Sequence, residues 1–372
     1  MNIKEYIQFE CLEVNQPIGL FYVGVINFDD LEIISFADVR RLELGVEERE
    51  VEKYIGIQRP LSPNRVKDIK KYVGLVDATF PTGVILAISS EHAKYDPEKK
   101  SMKITYEENV AKVLDGQHRI AGLADLNKPG SSFQINATIF IDMELEDQAI
   151  IFSTINITQT KVNKSLVADL FEFANSRSPQ KTAHNVVRAL NLQKGSPFEN
   201  KIKILGSAND SLMETITQST FVESLLKYIS RDPVIDRDLY KRNKRPEKIK
   251  DLAEQRNLFL RNWFIEDQDW KIAKLVENYF NAVGKKWPIA WYQVRPEFIL
   301  NKSTGFISLM RFLKNAYGFF EKPNEIITED QFSSLFEKIQ LTDSDFNKNK
   351  YIPGSSGQKD LYNDLLFQTG LI

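Results

Sequence analysis

The chain has 372 residues, of which 42% are hydrophobic and 24 are Phe, with 49 Lys and Arg against 51 Asp and Glu. This composition excludes a mainly disordered chain, and the sequence has no run of about 18 uncharged apolar residues that would predict a membrane span. The length predicts two domains, or one large domain with an appendage. A net charge of -2 gives no global attraction to nucleic acid, so such a contact requires a local basic patch.

The N-terminal residues carry charges every few positions and lack the apolar stretch of a signal peptide. Cys11 is the single cysteine, so neither a disulfide framework nor a thiolate metal site is expected. Both features predict a cytoplasmic protein.

The first third of the chain reads as strands with short helices. Gly19–Ile26 is rich in β-branched and aromatic residues, and a turn after it leads to Leu31–Ser35, which predicts a hairpin. Ser62 and Pro63 then open a helix, as N-cap and first helical residue. Further strands are predicted at Gly83–Ser89, Met102–Tyr106 (after a turn at Asp96–Lys99), Val110–Leu114 and Phe133–Ile141.

From Glu144 onward the apolar residues recur at helical spacing. Thr220 and Glu223 form a capping-box pattern, and the stretches 270–283 and 306–320 are strongly apolar at spacings of three and four. We therefore expect an α+β protein, with a mixed α/β domain over residues 1–160 and a mostly helical domain over 161–372.

The most informative stretch is Asp115-Gly116-Gln117-His118-Arg119, placed between a predicted strand and a predicted helix. Gly116 permits a sharp turn, and the helix start with His118 and Arg119 offers donors for a phosphate. Asp115 could hold a metal ion or accept a proton. Alternatively, Asp115 only caps the helix and Arg119 pairs with a surface carboxylate; the pattern alone leaves both interpretations open.

The motif DGQHR, followed by Ile-Ala-Gly, resembles the name-giving motif of the DGQHR-domain proteins, which include DndB of the DNA phosphorothioation systems. The upstream residues Gln58 and Arg59 and the downstream segment Phe152–Asn156 resemble flanking signatures of that family. The resemblance covers about residues 15–320. It implies a DNA-binding regulatory or accessory role, including transcription regulation, in DNA modification and phage defence.

That family is in turn similar in layout to the ParB/sulfiredoxin-like superfamily, in which a strand–helix junction binds nucleotide phosphates. This resemblance implies that Gly116, Gln117, His118 and Arg119 contact a nucleoside triphosphate accompanied by Mg²⁺, with Asp115 as catalytic base or metal ligand. Gln58, Arg59 and Asn156 would approach the same pocket. Gln117 occupies the place of the sulfiredoxin cysteine, so sulfiredoxin-type chemistry is not expected.

Four other features of the sequence carry weaker predictions. Asn156 and Gln159 are predicted between two helices, either as structural amides or, for Asn156, as a nucleotide contact. His92 is expected in an exposed turn. His184 is expected on a helix surface or satisfied in the core rather than as a ligand. The region of Trp270, Trp287 and Trp291 is expected to be core.

One basic segment, Arg237–Lys250, stands out from the near-neutral chain. Lys241, Arg242, Lys244 and Arg245 are its candidate DNA-binding residues, because clustered cations contact phosphates without reading sequence. Tyr240 offers a ring for stacking. The alternative is a solvated, mobile loop.

Three hypotheses of function follow. The first is a DndB-like, DNA-binding regulatory or accessory protein with a nucleotide site at the DGQHR turn, acting with DNA-modification proteins and forming either monomers or homo-oligomers. The second is an NTPase or phosphotransferase of a base-modification complex, with Asp115 catalytic and Mg²⁺ bridging the phosphates. The third is a scaffold in which the motif is only structural.

Overall fold

The computed structural model describes residues 4–37, 41–43, 53–55, 61–75, 77–124, 133–159, 164–204 and 214–371. The chain divides into two compact units, Met1–Lys161 (unit 1) and Val162–Ile372 (unit 2). Unit 1 is built on a mixed sheet and unit 2 is mainly helical, which confirms the predicted α+β class.

Ten strands are described in unit 1. They are β1 (Tyr6–Gln16), β2 (Gly19–Asn27), β3 (Ser35–Phe36), β4 (Arg41–Glu43), β5 (Lys53–Ile55), β6 (Val84–Ile88), β7 (Ala93–Asp96), β8 (Ser101–Thr105), β9 (Ala111–Asp115) and β10 (Gln134–Ile141). The helices described in this unit are α1 (Phe28–Ile34), α2 (Pro63–Val73), α3 (Gln117–Leu123) and α4 (Leu145–Gln159).

Eight of these strands form one sheet in the order β3-β9-β6-β10-β2-β1-β8-β7, and β4 pairs with β5. The pairs β3–β9 and β6–β10 are parallel, and the other neighbours in the sheet are antiparallel. Apolar side chains of α1, α2 and α3 share one buried cluster with the sheet, including Leu31, Val73, Leu86 and Leu123. The order of the sheet therefore brings β6 beside β9, the strand that leads into α3.

Unit 2 begins with α5 (Lys164–Asp169), the 3₁₀ helix η1 (Leu170–Phe173) and α6 (Pro179–Leu192). Two short parallel strands, β11 (Ile202–Lys203) and β12 (Ile216–Thr217), come before the next helix. The remaining elements are α7 (Gln218–Ile229), α8 (Pro233–Lys241), α9 (Leu252–Asn257), α10 (Arg261–Ile265), α11 (Asp269–Lys286), α12 (Pro288–Tyr292), α13 (Ser303–Phe319), α14 (Glu329–Phe336), η2 (Asp343–Asp345) and α15 (Ser355–Thr369).

Aromatic rings form the centre of unit 2. The ring centroid of Phe198 lies 4.7 Å from those of Phe221 and Phe280, and Trp291 stacks on Phe280 at 5.0 Å. Edge-to-face and offset ring pairs of this kind add to the stabilisation from apolar burial. Trp287 and Trp291 are buried, as expected, whereas Trp270 is 62% exposed and the prediction for it is wrong.

The predicted hairpin after β2 is wrong, because Phe28–Ile34 forms helix α1 instead of a strand. Phe28, Leu31 and Ile34 are buried at helical spacing, and two aspartates in the first turn suit the positive end of the helix dipole. The true hairpin partner of β2 is β1, in antiparallel register. The alternating apolar residues of β1 are diluted by charges, which hid this strand from the sequence analysis.

The predicted capping box at Thr220 and Glu223 is also wrong. Helix α7 begins three residues earlier than this pattern implies, with Thr217 as N-cap. The Thr217 hydroxyl accepts a hydrogen bond from the Thr220 backbone N–H at 3.3 Å, so Thr220 lies inside the first turn. None of the described helices is both long enough and apolar enough to cross a bilayer.

Candidate functional site

The DGQHR motif forms the turn between β9 and α3. Asp115 ends β9, and Gly116 is the N-cap of α3 with a φ of +100°, a backbone conformation that L side chains rarely adopt. A Cβ at Gly116 would also lie 2.6 Å from Cγ1 of Val84 on β6. Glycine is therefore required here both by the backbone and by the close approach of β6.

The pairing of β6 with β9 shifts register just before this turn. Val113 faces Leu86 and Asp115 faces Ile85, so Leu114 is an extra residue on β9. Bulges of this kind re-aim the side chain that follows them and are common beside functional sites. This bulge directly precedes Asp115 at the end of the strand.

Arg119 lies one helical turn after Asp115, and the two side chains form an ion pair. Arg119 Nη2 donates to Asp115 Oδ2 at 2.8 Å, and the side chains are only 14% and 20% exposed. Arg119 Nη1 donates to the Thr82 hydroxyl at 2.7 Å and to the Thr82 carbonyl oxygen. The alternative in which Asp115 caps α3 is wrong, because Gly116 is the N-cap and no side-chain cap hydrogen bond is present. Arg119 does pair with a carboxylate, which is Asp115 of the same motif, and the phosphate interpretation stays a prediction.

His118 connects the motif to helix α2. Its Nε2 accepts a hydrogen bond from the backbone N–H of Ser62, the N-cap residue of α2, at 3.0 Å. Nε2 therefore carries no proton in this arrangement. Helices α2 and α3 also approach closely, since a Cβ at Gly122 would lie 2.2 Å from Cγ2 of Ile69. Any movement of the turn is thus linked mechanically to the start of α2.

The structure places the other predicted nucleotide contacts in different parts of the chain or does not describe them. Gln117, the first residue of α3, is buried at 8% exposure. Gln58 and Arg59 lie outside the described residues. Asn156 lies within α4, which continues to Gln159, so the prediction that these two amides lie between helices is wrong. Helix α4 packs near β9, the strand that ends at Asp115.

Asp115 is also the predicted metal ligand. In the part of the chain that the structure describes, it belongs to no group of three or more His, Cys, Asp or Glu with ligand atoms close together. A Mg²⁺ ion bound with a nucleotide needs only one or two carboxylates besides the phosphates.

Thr82 is the residue of this site that the sequence analysis missed. It comes two residues before β6, on a segment whose only sequence signal is a Pro-Thr-Gly turn. Its contact with Arg119 spans 37 residues and depends on β6 lying next to β9.

The basic segment lies in unit 2, at the end of α8 and in the chain that follows. Lys241, Arg242, Lys244 and Arg245 are all exposed. Arg242 pairs with Asp238 at 2.8 Å and Arg245 with Asp267 at 2.7 Å, with both arginines more than 60% exposed. These are surface ion pairs, which contribute about 0–1 kcal/mol each and exchange readily for other anions.

The backbone of this segment is held in place rather than extended into solvent. Pro246 and Ile249 are buried, and the Asn262 side chain forms hydrogen bonds with both the N–H and the carbonyl oxygen of Ile249, at 2.9 and 3.1 Å. The Tyr240 ring packs against Phe264, with 5.6 Å between centroids. The cations of the segment are thus solvated while its backbone has fixed contacts, and Tyr240 is partly used in packing.

A comparison with models of known protein families gives a match. The family model for DndB, described as DNA-sulfur modification-associated, matches residues 9–318. The chain belongs to the DndB family. Comparisons with curated proteins and with solved structures gave no significant match. The matched range includes the Asp115–Arg119 turn, and also the basic segment.

Proposed function

We propose that this DndB-family protein is a DNA-binding regulatory or accessory factor of a DNA-sulfur modification system, in which a nucleoside triphosphate binds at the Asp115–Arg119 turn. Binding there would switch the conformation of the protein or its choice of partner in phage defence. The observation that carries the proposal is the contact between Arg119, Asp115 and Thr82 within family-matched residues.

The guanidinium of Arg119 supports the phosphate part of this proposal. The carboxylate oxygen of Asp115, 2.8 Å from Nη2, occupies the position in which an anionic phosphate oxygen would meet the same donor. The Thr82 hydroxyl accepts a hydrogen bond from Nη1, the other terminal nitrogen, so the guanidinium keeps its orientation when the Asp115 carboxylate moves away. A phosphate would displace Asp115, and the released carboxylate is then placed to contact the Mg²⁺ that accompanies the nucleotide.

The hydrogen bond from Ser62 to His118 supports the switching part. A phosphate bound at Arg119 shifts charge next to His118 in the same turn, and His118 is the acceptor at the start of α2. A change in the turn would therefore alter how α2 begins. Gln58 and Arg59, together with Asn156 and Gln117, remain the proposed further contacts of the nucleotide.

The nucleotide site is tested by calorimetric titration of ATP, GTP and CTP, each with Mg²⁺, into the wild type and Arg119→Ala. We expect the wild type to bind at least one of them and Arg119→Ala to lose tenfold or more, since a charge-assisted hydrogen bond contributes about 1.5–3 kcal/mol. Arg65→Ala, an exposed arginine on α2, is the control and should bind as the wild type does. If Arg119→Ala bound the nucleotide as tightly as the wild type, the nucleotide site would not lie at this turn.

The basic segment supports DNA binding, because exposed cations on a fixed backbone form a surface that can follow phosphates. Lys241→Glu with Arg242→Glu should weaken binding of a mixed-sequence duplex at low salt. The slope of log affinity against log salt should fall by about 2, since about one counterion is released per phosphate contact. Lys338→Glu with Lys348→Glu, also exposed in unit 2, changes the net charge equally and should have no such effect.

An unchanged affinity in the Lys241 and Arg242 double variant would exclude this surface as the DNA contact. The proposal also includes association with other DNA-modification proteins, self-association and a relation to the ParB/sulfiredoxin-like superfamily.

The second candidate function is an NTPase or phosphotransferase of a DNA-modification complex. It is favoured by the position of Asp115, a carboxylate in the same turn as the proposed phosphate-binding arginine. In that case Asp115→Asn should abolish nucleotide hydrolysis in the presence of Mg²⁺ while nucleotide affinity is kept. A regulatory pocket should show little hydrolysis in the wild type to begin with.

A further inference from the structure

A buried polar cluster lies at the start of unit 2, far along the chain from the DGQHR turn. It is formed by Asp169 at the end of α5, Glu172 on η1, and His184 on α6. One ligand atom from each residue lies within 4.8 Å of the other two. Asp169 is fully buried and His184 is 2% exposed, whereas Glu172 lies at the exposed rim. Two carboxylates and an imidazole so close together are a donor set that divalent cations use.

Gln218, the first residue of α7, adds an independent observation. It is fully buried, and its Nε2 lies 2.9 Å from His184 Nδ1 and 3.4 Å from Asp169 Oδ1, so the amide group sits at the cluster. Its Oε1 is buried and has no hydrogen-bond partner among the described residues. Leaving such an acceptor without a partner costs about 1–3 kcal/mol.

The amide of Gln218 can present its oxygen to a cation at the cluster by turning over, and its NH₂ group then takes the position that the unpartnered Oε1 holds now. The oxygen and nitrogen of a side-chain amide occupy equivalent positions, so a half-turn of the Gln218 amide places Oε1 where Nε2 now lies, beside His184 and Asp169. There the oxygen would serve as a fourth ligand. The cation would also offset the repulsion between the carboxylates of Asp169 and Glu172.

We propose that Asp169, Glu172, His184 and the amide oxygen of Gln218 bind one divalent transition-metal cation. Three oxygen donors and one imidazole suit Mn²⁺ or Zn²⁺, and the absence of thiolate from this set disfavours soft cations. The cation would join α5, η1, α6 and α7, and would therefore stabilise unit 2 rather than take part in chemistry at Asp115. The site is independent of the function proposed above.

The test begins with the full chain, stripped of metal with EDTA and then dialysed. Mn²⁺ and Zn²⁺ are titrated separately by calorimetry, and the melting temperature is measured with and without each metal. We expect one cation to bind per chain and the melting temperature to rise with metal concentration, because a ligand that binds only the folded state stabilises it.

Glu172→Gln is the decisive variant, because Glu172 is exposed and its loss should leave the fold intact. Its melting temperature in EDTA should not fall below that of the wild type, because the lost charge is one that repels Asp169, while its metal affinity should fall on the order of tenfold or more. His184→Asn should lose binding as well, if it folds. His92→Gln and Glu337→Gln, which change a histidine and an exposed glutamate elsewhere, should bind metal as the wild type does.

Two outcomes would overturn the proposal. If neither metal binds the wild type, the cluster is an internal hydrogen-bond network and not a cation site. If Glu172→Gln binds both metals with wild-type affinity, the cation lies elsewhere on the chain.

Discussion

Replacing Asp115 by Asn should separate the stability of the DGQHR turn from its affinity for phosphate. Asn keeps the shape of the side chain and one acceptor oxygen but removes the charge that pairs with Arg119. The two properties should change in opposite directions: the folded protein loses an ion pair, while the guanidinium loses the anion that competes with phosphate.

The geometry of the ion pair determines how much stability Asp115→Asn should lose. The pair is 2.8 Å long and its side chains are 14% and 20% exposed, so it lies between an exposed pair of about 0–1 kcal/mol and a charge-assisted hydrogen bond of about 1.5–3 kcal/mol. We expect Asp115→Asn to lower the free energy of unfolding by about 1–2 kcal/mol. Arg119 should stay oriented, because Thr82 still accepts from its Nη1.

The assay has two parts. Urea denaturation followed by circular dichroism gives the free energy of unfolding, with Asp68→Asn, an exposed aspartate on α2, as the control. Calorimetry in EDTA then gives the affinity for the nucleotide that the wild type binds. Without Mg²⁺ the loss of competition should raise this affinity by up to about tenfold, which corresponds to about 1.4 kcal/mol.

The reasoning is refuted if Asp115→Asn matches Asp68→Asn in stability, because the ion pair would then contribute nothing. It is refuted separately if the EDTA affinity of Asp115→Asn falls, because Asp115 would then support phosphate binding rather than compete with it.

Two further changes test the fold around the site and the core of unit 2. Gly116→Ala should destabilise the protein by about 1–3 kcal/mol, because alanine at this position is strained by the positive φ and its Cβ clashes with Val84. Gly318→Ala, whose Cβ would lie in open space, should not destabilise the protein. A loss of stability no greater than that of Gly318→Ala would contradict the turn geometry. Lys201, whose burial lowers its pKa from 10.5 to about 8, should destabilise the folded state while it is charged, so Lys201→Met should be more stable than the wild type at pH 7. Between pH 8 and 10.5 the unfolded state binds more protons than the folded state, so the stability of the wild type should rise with pH and approach that of Lys201→Met. The free energy of unfolding of both proteins, measured at several pH values, tests this. A difference between them that does not change with pH would show that Lys201 is not the cause.

Local patterns in the sequence determined much of the architecture. The strand β9, the glycine turn and helix α3 follow from an apolar run, a residue that permits positive φ and renewed helical spacing, all within a dozen residues. Likewise Ser62 and Pro63 determined the start of α2. The change from strand to helical periodicity after Glu144 indicated the α+β class. Such features depend on neighbours along the chain, so one sequence is enough to predict them.

The site itself was decided by tertiary structure. Asp115 and Arg119 are close in sequence, but their ion pair lies beside β6, whose approach to β9 is a long-range contact. Thr82 reaches Arg119 because β6 lies beside β9, and Ser62 reaches His118 across 56 residues because α2 packs on α3. Sheet order, register and helix packing place these groups, and they depend on interactions between distant segments that no local pattern encodes.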